Sequence, residues 1–429
     1  MTGPRRLAPA GGAPALAALG LFALLTAAGC RHRGGAWADA PAGVAARTDA
    51  QAGDAGVIEL LVLGQARPGA ESRRLAAGLD EHLRADAPGR AGPALILWLG
   101  TDLGRAGPER SRCPEAAASA WREPGLGELA EVLERHAAAG RVDAWGVAGP
   151  DGWRCGWTDA PAPGQPFASP GPVFLLRVDA EGHAELASRC ADTRCEAQPS
   201  APGDRLEIMV VDASTWHDPS LDDDAADARL RGQLRGLLAA LDHDPRPPPR
   251  LLALAIPVDS AGVHGYGGRL QRTGFPYLPA PLREALLAGV FVGVVGGLER
   301  SLQLSEDLGP AIVRSDRRFP DAPIFQVVSG AAGGSAHVPI TSRGDALLPE
   351  IESEHLGFAR LLFDDAEVDL RLRARVAGRW REAGLRLPLA PVEYGPLRPA
   401  TRIQPCQDCD PLDAAGDGDA FVPRGRRPR

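Results

Sequence analysis

Short apolar runs alternate with amphipathic segments along most of this 429-residue sequence, and this alternation limits the possible fold classes. Residues 57–63, 94–99 and 142–147 are apolar runs of strand length, and segments 70–86 and 126–139 place leucines on one helical face. Strands that alternate with helices are typical of an α/β core. The sequence therefore predicts an α/β domain.

The alternation continues to about residue 376. Further strands are predicted at 173–178, 206–211, 251–256, 290–295 and 323–328, further helices at 224–241 and 281–288, and a β-rich stretch at 358–376. Residues 158–172 are rich in Pro, Gly and Ala, which favours a loop.

The composition excludes several classes of function. The formal net charge of −8 argues against nucleic acid as a partner, because phosphate binding needs a concentrated basic surface. The sequence contains neither lysine nor asparagine. A lysine Schiff base and a P-loop lysine are therefore excluded.

The N-terminus has the features of an export signal. Arg5 and Arg6 precede an uncharged, Ala/Leu-rich stretch over residues 7–28, and the segment Leu25-Thr26-Ala27-Ala28-Gly29-Cys30 resembles a bacterial lipobox. This resemblance implies diacylation of Cys30 and a lipid-anchored protein on the extracytoplasmic side of the bacterial cell envelope, with the membrane as a partner. A plain transmembrane anchor and a non-lipidated secretory signal are the alternatives. All three carry the rest of the chain across the membrane.

The cysteine count agrees with an oxidising compartment. Setting Cys30 aside from the 7 cysteines leaves six, an even number that suggests disulfides and allows 15 connectivities. Proximity in the sequence favours the following pairs: Cys190 with Cys195, Cys406 with Cys409, and, by remainder, Cys113 with Cys155. The alternative for Cys406-x-x-Cys409 is half a zinc site or a redox motif, but no second CxxC is present and the pair lies in a Pro/Asp-rich tail.

The loops that follow the apolar runs carry a family resemblance. In order, they contain the segments Gly64-Gln65, Gly100-Thr101-Asp102, Gly149-Pro150-Asp151-Gly152-Trp153, Ala255-Ile256-Pro257 with Ser260-Ala261-Gly262-Val263-His264-Gly265, and Gly297-Leu298-Glu299-Arg300. Their order and spacing resemble the calcineurin-like metallophosphoesterases over roughly residues 57–376. The resemblance implies a four-layer αββα sandwich, in which two packed sheets are flanked by helices. In that family two metal ions activate a water molecule and clamp the phosphate.

The residues that would bind those metals are replaced. The positions that the resemblance assigns to metal ligands hold Gln65, Thr101, Pro150, Asp151, Ala255, Ile256, Leu298 and Arg300. The aliphatic side chains and proline in this set have no lone pair, and Arg300 would repel a divalent cation. We therefore expect no catalytic residues, no metal and no other cofactor.

A displaced metal centre is the alternative. Its candidate ligands are Asp102, Asp151, His264 and Glu299, which could hold Ca²⁺ or Mn²⁺ if they lie close together. Asp102 and Glu299 are each offset by one residue from an assigned ligand position. On a tight loop a neighbouring position usually points elsewhere.

Four segments are predicted along the chain. They are a lipoprotein signal peptide (1–29), a flexible tether (30–55), a calcineurin-like phosphoesterase domain (56–395) and a Pro/Asp/Arg-rich C-terminal tail (396–429). The favoured function is that of a catalytically inactive binding or structural module with an unknown protein or small-molecule partner. The alternatives are an active phosphoesterase with a reshaped metal centre and an enzyme of another class that uses the same cleft.

Overall fold

The structure is a computed structural model. It describes residues 38–39, 56–85, 90, 92–101, 121–155, 164–217, 224–242, 247–260, 278–308, 324–333, 351–353 and 355–389.

The first sheet has seven strands in the order β1-β17-β16-β15-β2-β3-β4. Their bounds are β1 (Ala38–Asp39), β2 (Ile58–Ala66), β3 (Ala94–Thr101), β4 (Val142–Val147), β15 (Gly357–Phe363), β16 (Glu367–Val376) and β17 (Arg379–Pro388). Strands β2, β3 and β4 are parallel, and β15, β16 and β17 extend the sheet as an antiparallel meander.

The second sheet has eight strands in the order β14-β12-β13-β11-β10-β9-β5-β6. Their bounds are β5 (Val173–Val178), β6 (Ala184–Leu186), β9 (Leu206–Val211), β10 (Arg250–Leu254), β11 (Gly293–Gly296), β12 (Leu302–Ser305), β13 (Phe325–Ser329) and β14 (Ile351–Ser353). Its centre, β9-β10-β11-β13, is parallel. A separate hairpin consists of β7 (Ser188–Ala191) and β8 (Arg194–Ala197).

Helices cover the outer face of each sheet. Their bounds are α1 (Ala70–Arg84), α2 (Leu126–Ala138), α3 (Gly149–Cys155), α4 (Ser214–His217), α5 (Asp224–Asp242) and α6 (Ala280–Leu287). Leucines of α1 and α2 pack on the first sheet, and leucines of α5 and α6 pack on the second. The largest core cluster lies between the sheets and contains residues of both. The fold is therefore the four-layer αββα sandwich expected of calcineurin-like phosphoesterases.

Most of the predicted strands and helices are present. The predicted strand at 290–295 begins only at Gly293, and the β-rich stretch at 358–376 is two strands, β15 and β16. The loop predicted around Gly149 is instead the start of α3. Strand β17 was not predicted, because its arginines and glycine interrupt the apolar alternation that marks a half-buried strand.

The disulfide predicted between Cys190 and Cys195 is confirmed. The two residues lie directly opposite each other in the β7–β8 hairpin, with Cα atoms 4.1 Å apart. Cys155 is also in a disulfide. Its predicted partner Cys113, together with Cys30, Cys406 and Cys409, lies outside the described residues.

A buried ion network lies under α1, on the outer face of the first sheet. Glu59 in β2 is completely buried. Its carboxylate accepts hydrogen bonds from Arg360 (2.6 Å), Arg90 (3.0 Å) and His82 (3.0 Å). Arg373 donates to Nδ1 of His82, which leaves Nε2 to donate to Glu59. Burial by itself would raise the pKa of Glu59, but His82 and Arg360 hold it well below its usual range.

A second buried carboxylate lies on the outer face of the second sheet. Glu207 in β9 is flanked in register by Arg177 of β5 and Arg250 of β10. Their guanidinium Nε atoms lie 2.9 Å and 2.5 Å from its two carboxylate oxygens. Glu59 and Glu207 both occupy the early part of a parallel strand, far from the loops that follow the strands. We therefore assign both networks to the stability of the sandwich.

Candidate functional site

The loops after the parallel strands of the two sheets meet through glycine and main-chain contacts. A Cβ atom on Gly64, at the end of β2, would lie 2.3 Å from the carbonyl oxygen of Ser329. A Cβ atom on Gly297, after β11, would lie 2.3 Å from the carbonyl oxygen of Leu99 in β3. Such short distances cannot be tolerated. The backbones of the two sheets therefore approach each other at the position where the resemblance places the metal centre.

Ser329 connects the two sheets at this point. Its hydroxyl group donates a 2.6 Å hydrogen bond to the carbonyl oxygen of Val62 and accepts one of 3.1 Å from the backbone N–H of Ala359. Val62 and Ala359 belong to the first sheet, whereas Ser329 ends β13 of the second. A fully buried hydroxyl group with both roles satisfied fixes the spacing of the sheets.

Two of the positions assigned to metal ligands lie in the core. Ala255 and Ile256 follow β10, are each 1% exposed, and belong to the apolar cluster between the sheets. Neither side chain can coordinate an ion. The region in which the family's histidine pair would supply nitrogen ligands is therefore lined by hydrocarbon.

Two other assigned positions have an unusual backbone. Gln65 and Leu298 have φ angles of 53° and 50°, in the left-handed region that non-glycine residues rarely adopt. The buried Oε1 atom of Gln65 has no hydrogen-bond partner in the described structure. A strained backbone often persists at functional sites. Here it occurs at two positions where the resemblance places ligands and where the side chains differ from the family's.

Glu299 is a buried carboxylate with a hydroxyl partner. It is 4% exposed, and its Oε2 atom accepts a 3.0 Å hydrogen bond from the hydroxyl group of Ser260. Gln326 of β13 supports the same loop, because its side-chain oxygen accepts from the backbone N–H of Val258 and its amide donates to the carbonyl oxygen of Asp259. The structure brings Ser260 to Glu299, and His264 lies outside the described residues.

Asp151 lies in the first turn of α3 and is buried. The start of this helix is held by Asp212, which follows β9 and whose Oδ2 atom accepts a 2.9 Å hydrogen bond from the backbone N–H of Gly149. The other oxygen of Asp212 accepts from the hydroxyl and backbone N–H groups of Ser214 at the start of α4. The Asp212 carboxylate therefore accepts hydrogen bonds from the first residues of both α3 and α4. Asp212 was not among the predicted site residues, although an acidic residue directly after a buried strand is a usable signal.

Burial raises the pKa of Asp212, and the hydrogen bonds from Ser214 and Gly149 offset this only in part. A carboxyl group whose pKa is raised on folding stabilises the fold below its unfolded pKa, and this contribution is lost as the pH rises through the folded pKa. The advantage of the wild type over Asp212→Asn should therefore be largest near pH 4 and smaller at pH 7. We expect about 1–3 kcal/mol at pH 4, because the asparagine amide N–H groups would face other donors.

Urea unfolding of both proteins at pH 4, 5.5 and 7 measures this difference. A wild-type advantage that grows with pH would show that the three donors outweigh burial and that the carboxylate is the favoured form.

The described residues do not supply a metal site. Among them, no group of three or more His, Cys, Asp or Glu side chains is arranged to hold an ion. Of the four candidate ligands, the structure describes Asp151 and Glu299, whereas Asp102 and His264 lie outside the described residues. Glu299 is hydrogen-bonded to Ser260, a neutral partner. The described donors therefore do not fit a two-metal centre, which needs several anionic or imidazole ligands around each ion.

Comparisons with known proteins show similarity at the level of solved structures. No protein-family model matches the chain, and no curated protein matches it. It is similar to GAP50, the anchor in the inner membrane complex of Plasmodium, with 12% identity, coverage of 77% of this chain and 89% of that chain, and a TM-score of 0.48. It is similar to the purple acid phosphatase PPD1 from yellow lupin (Lupinus luteus) seeds, with 12% identity, coverage of 78% and 54%, and a TM-score of 0.42.

A third similar structure is PhoD, with 10% identity, coverage of 78% of this chain and 70% of that chain, and a TM-score of 0.42. These identities are low, and the fold described above rests on the strand order and layers of this chain. Among the described helices, none has the length and hydrophobicity needed to cross a membrane.

Proposed function

We propose that this chain is a degenerate member of the calcineurin-like metallophosphoesterase superfamily that is catalytically inactive and acts as a lipid-anchored binding or structural module. The observation that carries the proposal is the replacement of ligands at the carboxyl ends of the strands. Ala255 and Ile256 are core residues at positions assigned to metal ligands. Gln65 and Leu298, at two more of these positions, have positive φ angles and side chains that differ from the family's ligands.

Loss of the metal ligands removes the hydrolytic chemistry, but the surface formed by the loops after the strands remains. In this family the metals activate the attacking water and neutralise charge on the phosphate, so a chain without them lacks both the nucleophile and the electrostatic stabilisation. The described starts of these loops meet at one end of the sandwich, which is the usual position of binding sites in α/β folds. A partner that binds these loops would use contacts other than metal coordination.

Metal content is the first test of inactivity. The mature protein from cells supplied with Mn²⁺, Fe²⁺ and Zn²⁺ should contain near-zero metal per chain by mass spectrometry, and it should not hydrolyse a generic phosphomonoester or phosphodiester. One or two tightly held metals per chain would favour the reshaped centre. Asp151→Ala and Glu299→Ala should then release them.

Lipidation is a separate part of the proposal, and it is supported by the lipobox-like segment that ends at Cys30 and by the Cys190–Cys195 disulfide, which is typical of an oxidising compartment. Labelled palmitate should be incorporated into the wild-type chain in bacterial cells and should be lost completely in Cys30→Ala. Cys190→Ala is the matched control, since it removes a cysteine elsewhere and should retain the label. Equal labelling of wild type and Cys30→Ala would contradict the anchor.

A further inference from the structure

The β7–β8 hairpin lies against the face of α5 that points away from the second sheet. A Cβ atom on Gly232 of α5 would lie 2.7 Å from the Cβ atom of Thr193 in the turn of the hairpin. A Cβ atom on Gly236, one helical turn later, would lie 3.2 Å from the backbone nitrogen of Cys195. The two glycines therefore let the hairpin approach the helix closely. The leucines of α5 pack on the second sheet, so the helix is enclosed between that sheet and the hairpin.

A disulfide holds the two strands of this hairpin together. Cys190 and Cys195 lie directly opposite each other, at a sequence separation of 5. The hairpin forms a two-stranded sheet of its own, and such a hairpin has little stability by itself. A cross-link that closes so short a loop constrains the hairpin far more than the rest of the chain. Loss of this disulfide should therefore loosen the hairpin and leave both large sheets folded.

Side-chain contacts join α5 to α4. Trp216 of α4 donates a 2.7 Å hydrogen bond from Nε1 to Oδ1 of Asp227 in α5. The other oxygen of that carboxylate lies 2.6 Å from Nε of Arg231, one turn later in α5. The Arg231 guanidinium group also lies over the Trp216 ring, 6.0 Å from its centroid. Arg231 directly precedes Gly232, so this link leaves α5 at the level where the hairpin rests on it.

The contacts continue from α4 to the candidate site. Ser214, in the same short helix as Trp216, donates to the carboxylate of Asp212. The other oxygen of this carboxylate accepts from the backbone N–H of Gly149 at the start of α3, the helix that carries Asp151. A series of direct contacts therefore runs from the hairpin through α5 and α4 to α3, and such a packed series can carry coupling between its ends.

We propose that the Cys190–Cys195 disulfide is a redox-controlled clamp that holds the hairpin on α5 and, through α4, keeps the start of α3 in place at the candidate site. Reduction of the disulfide releases the hairpin and loosens this series of contacts, and reoxidation restores them. The clamp depends on neither metal binding nor lipidation, and it is therefore separate from the proposed function.

The reductant that this clamp requires is a dithiol. One thiolate of the dithiol attacks a cysteine sulfur, which breaks the S–S bond and forms a mixed disulfide. The second thiol of the dithiol then displaces the protein sulfur. The dithiol leaves oxidised as a disulfide, and its two protons remain on Cys190 and Cys195 as thiols. Both cysteine residues are partly exposed, as attack by an external thiol requires.

Cys190→Ser with Cys195→Ser tests the clamp, because it removes this disulfide and leaves the one at Cys155 in place. In hydrogen exchange of the full-length chain, amides of the hairpin, of α5 and of the start of α3 should exchange about tenfold faster or more. Amides of α1 and α2, which pack on the first sheet, should be unchanged. Faster exchange confined to the hairpin, or unchanged exchange throughout, would overturn the clamp.

Asp227→Ala tests the route through α4. It removes the acceptor of Trp216 and Arg231, so it should speed exchange at the start of α3 by itself. Adding the two cysteine substitutions should speed exchange there no further, because the connection is already broken. Asp80→Ala is the matched control, since this ion-paired carboxylate lies in α1 and the cysteine substitutions should keep their full effect in its background. Equal additional effects in both backgrounds would contradict the route.

Reduction of the unsubstituted chain tests the redox step. Dithiothreitol should reduce the Cys190–Cys195 disulfide, as detected by thiol alkylation and mass spectrometry, while the near-ultraviolet circular dichroism is largely kept. Hydrogen exchange should then change as in the double serine variant, and reoxidation should reverse the change. Reduction that occurs only when the whole protein unfolds would overturn the clamp. Metal bound to the protein, or palmitate labelling that persists in Cys30→Ala, would instead contradict only the proposed function.

Discussion

Replacement of Glu59 by alanine should lower the free energy of unfolding by about 3–5 kcal/mol at pH 7, because it leaves the guanidinium group of Arg360 buried without its anionic partner. Arg360 is 4% exposed, and Glu59 is also the acceptor for His82 and Arg90. Such a loss is a large share of the total stability of a typical domain. Urea unfolding followed by tryptophan fluorescence measures it.

The loss of stability caused by Glu59→Ala should become smaller at acidic pH. The pKa of Glu59 is lowered in the fold, so its contribution is present above the unfolded pKa and is lost as the pH falls through the folded value. The difference between wild type and Glu59→Ala should therefore shrink as the pH is lowered below about 4.5.

An exposed glutamate serves as the control for this substitution. Glu71 in α1 forms an exposed ion pair with Arg74, and Glu71→Ala should change stability by less than about 1 kcal/mol. Equal effects of Glu59→Ala and Glu71→Ala would show that the buried network contributes no more than a surface pair.

Gly297→Ala should destabilise the fold by about 3 kcal/mol or more, because the added methyl group would overlap main-chain atoms of both sheets. Its Cβ atom would lie 2.3 Å from the carbonyl oxygen of Leu99 and 2.8 Å from that of Ala255. Neither oxygen can move without displacing a strand. Thermal unfolding and the loss of near-ultraviolet circular dichroism should report the change.

A helical glycine provides the matched control. Gly127 lies in the first turn of α2, where an added Cβ atom would be 3.3 Å from its nearest neighbour. Gly127→Ala should be neutral or stabilising by up to about 1 kcal/mol, since alanine has the higher helix propensity. A similar loss in both variants would mean that the contact between the sheets at Gly297 is not tight.

The packing of the sandwich and the proposed loss of metal ligands have separate physical causes. The contacts of Gly297 and Ser329 belong to the packing of the two sheets, so a chain that keeps this fold must keep them whether or not it binds metal. Metal ligands have no such role in packing. Ala255 and Ile256 contribute apolar core at positions where, under the proposed resemblance, a metal centre would need polar groups.

The sequence by itself determined the α/β class and most of the strands and helices, because a buried strand such as β10 is a continuous apolar run and a helix such as α5 has leucines at helical spacing. It also determined the disulfide between Cys190 and Cys195, since residues so near in the chain meet in a hairpin. The sequence also shows that the side chains of Ala255 and Ile256 cannot coordinate a metal, because side-chain type alone decides this.

Only the tertiary structure decided which distant side chains meet. Glu59 and Arg360 are 301 residues apart in the chain but lie on the neighbouring strands β2 and β15, and no local pattern predicts that contact. The partners of Glu299 and Asp212 also come from other loops, and a hydroxyl or backbone N–H group has no distinctive sequence signature. Strand β17 depends on its pairing with β16, and a strand with many polar residues carries little local signal of such a non-local pairing.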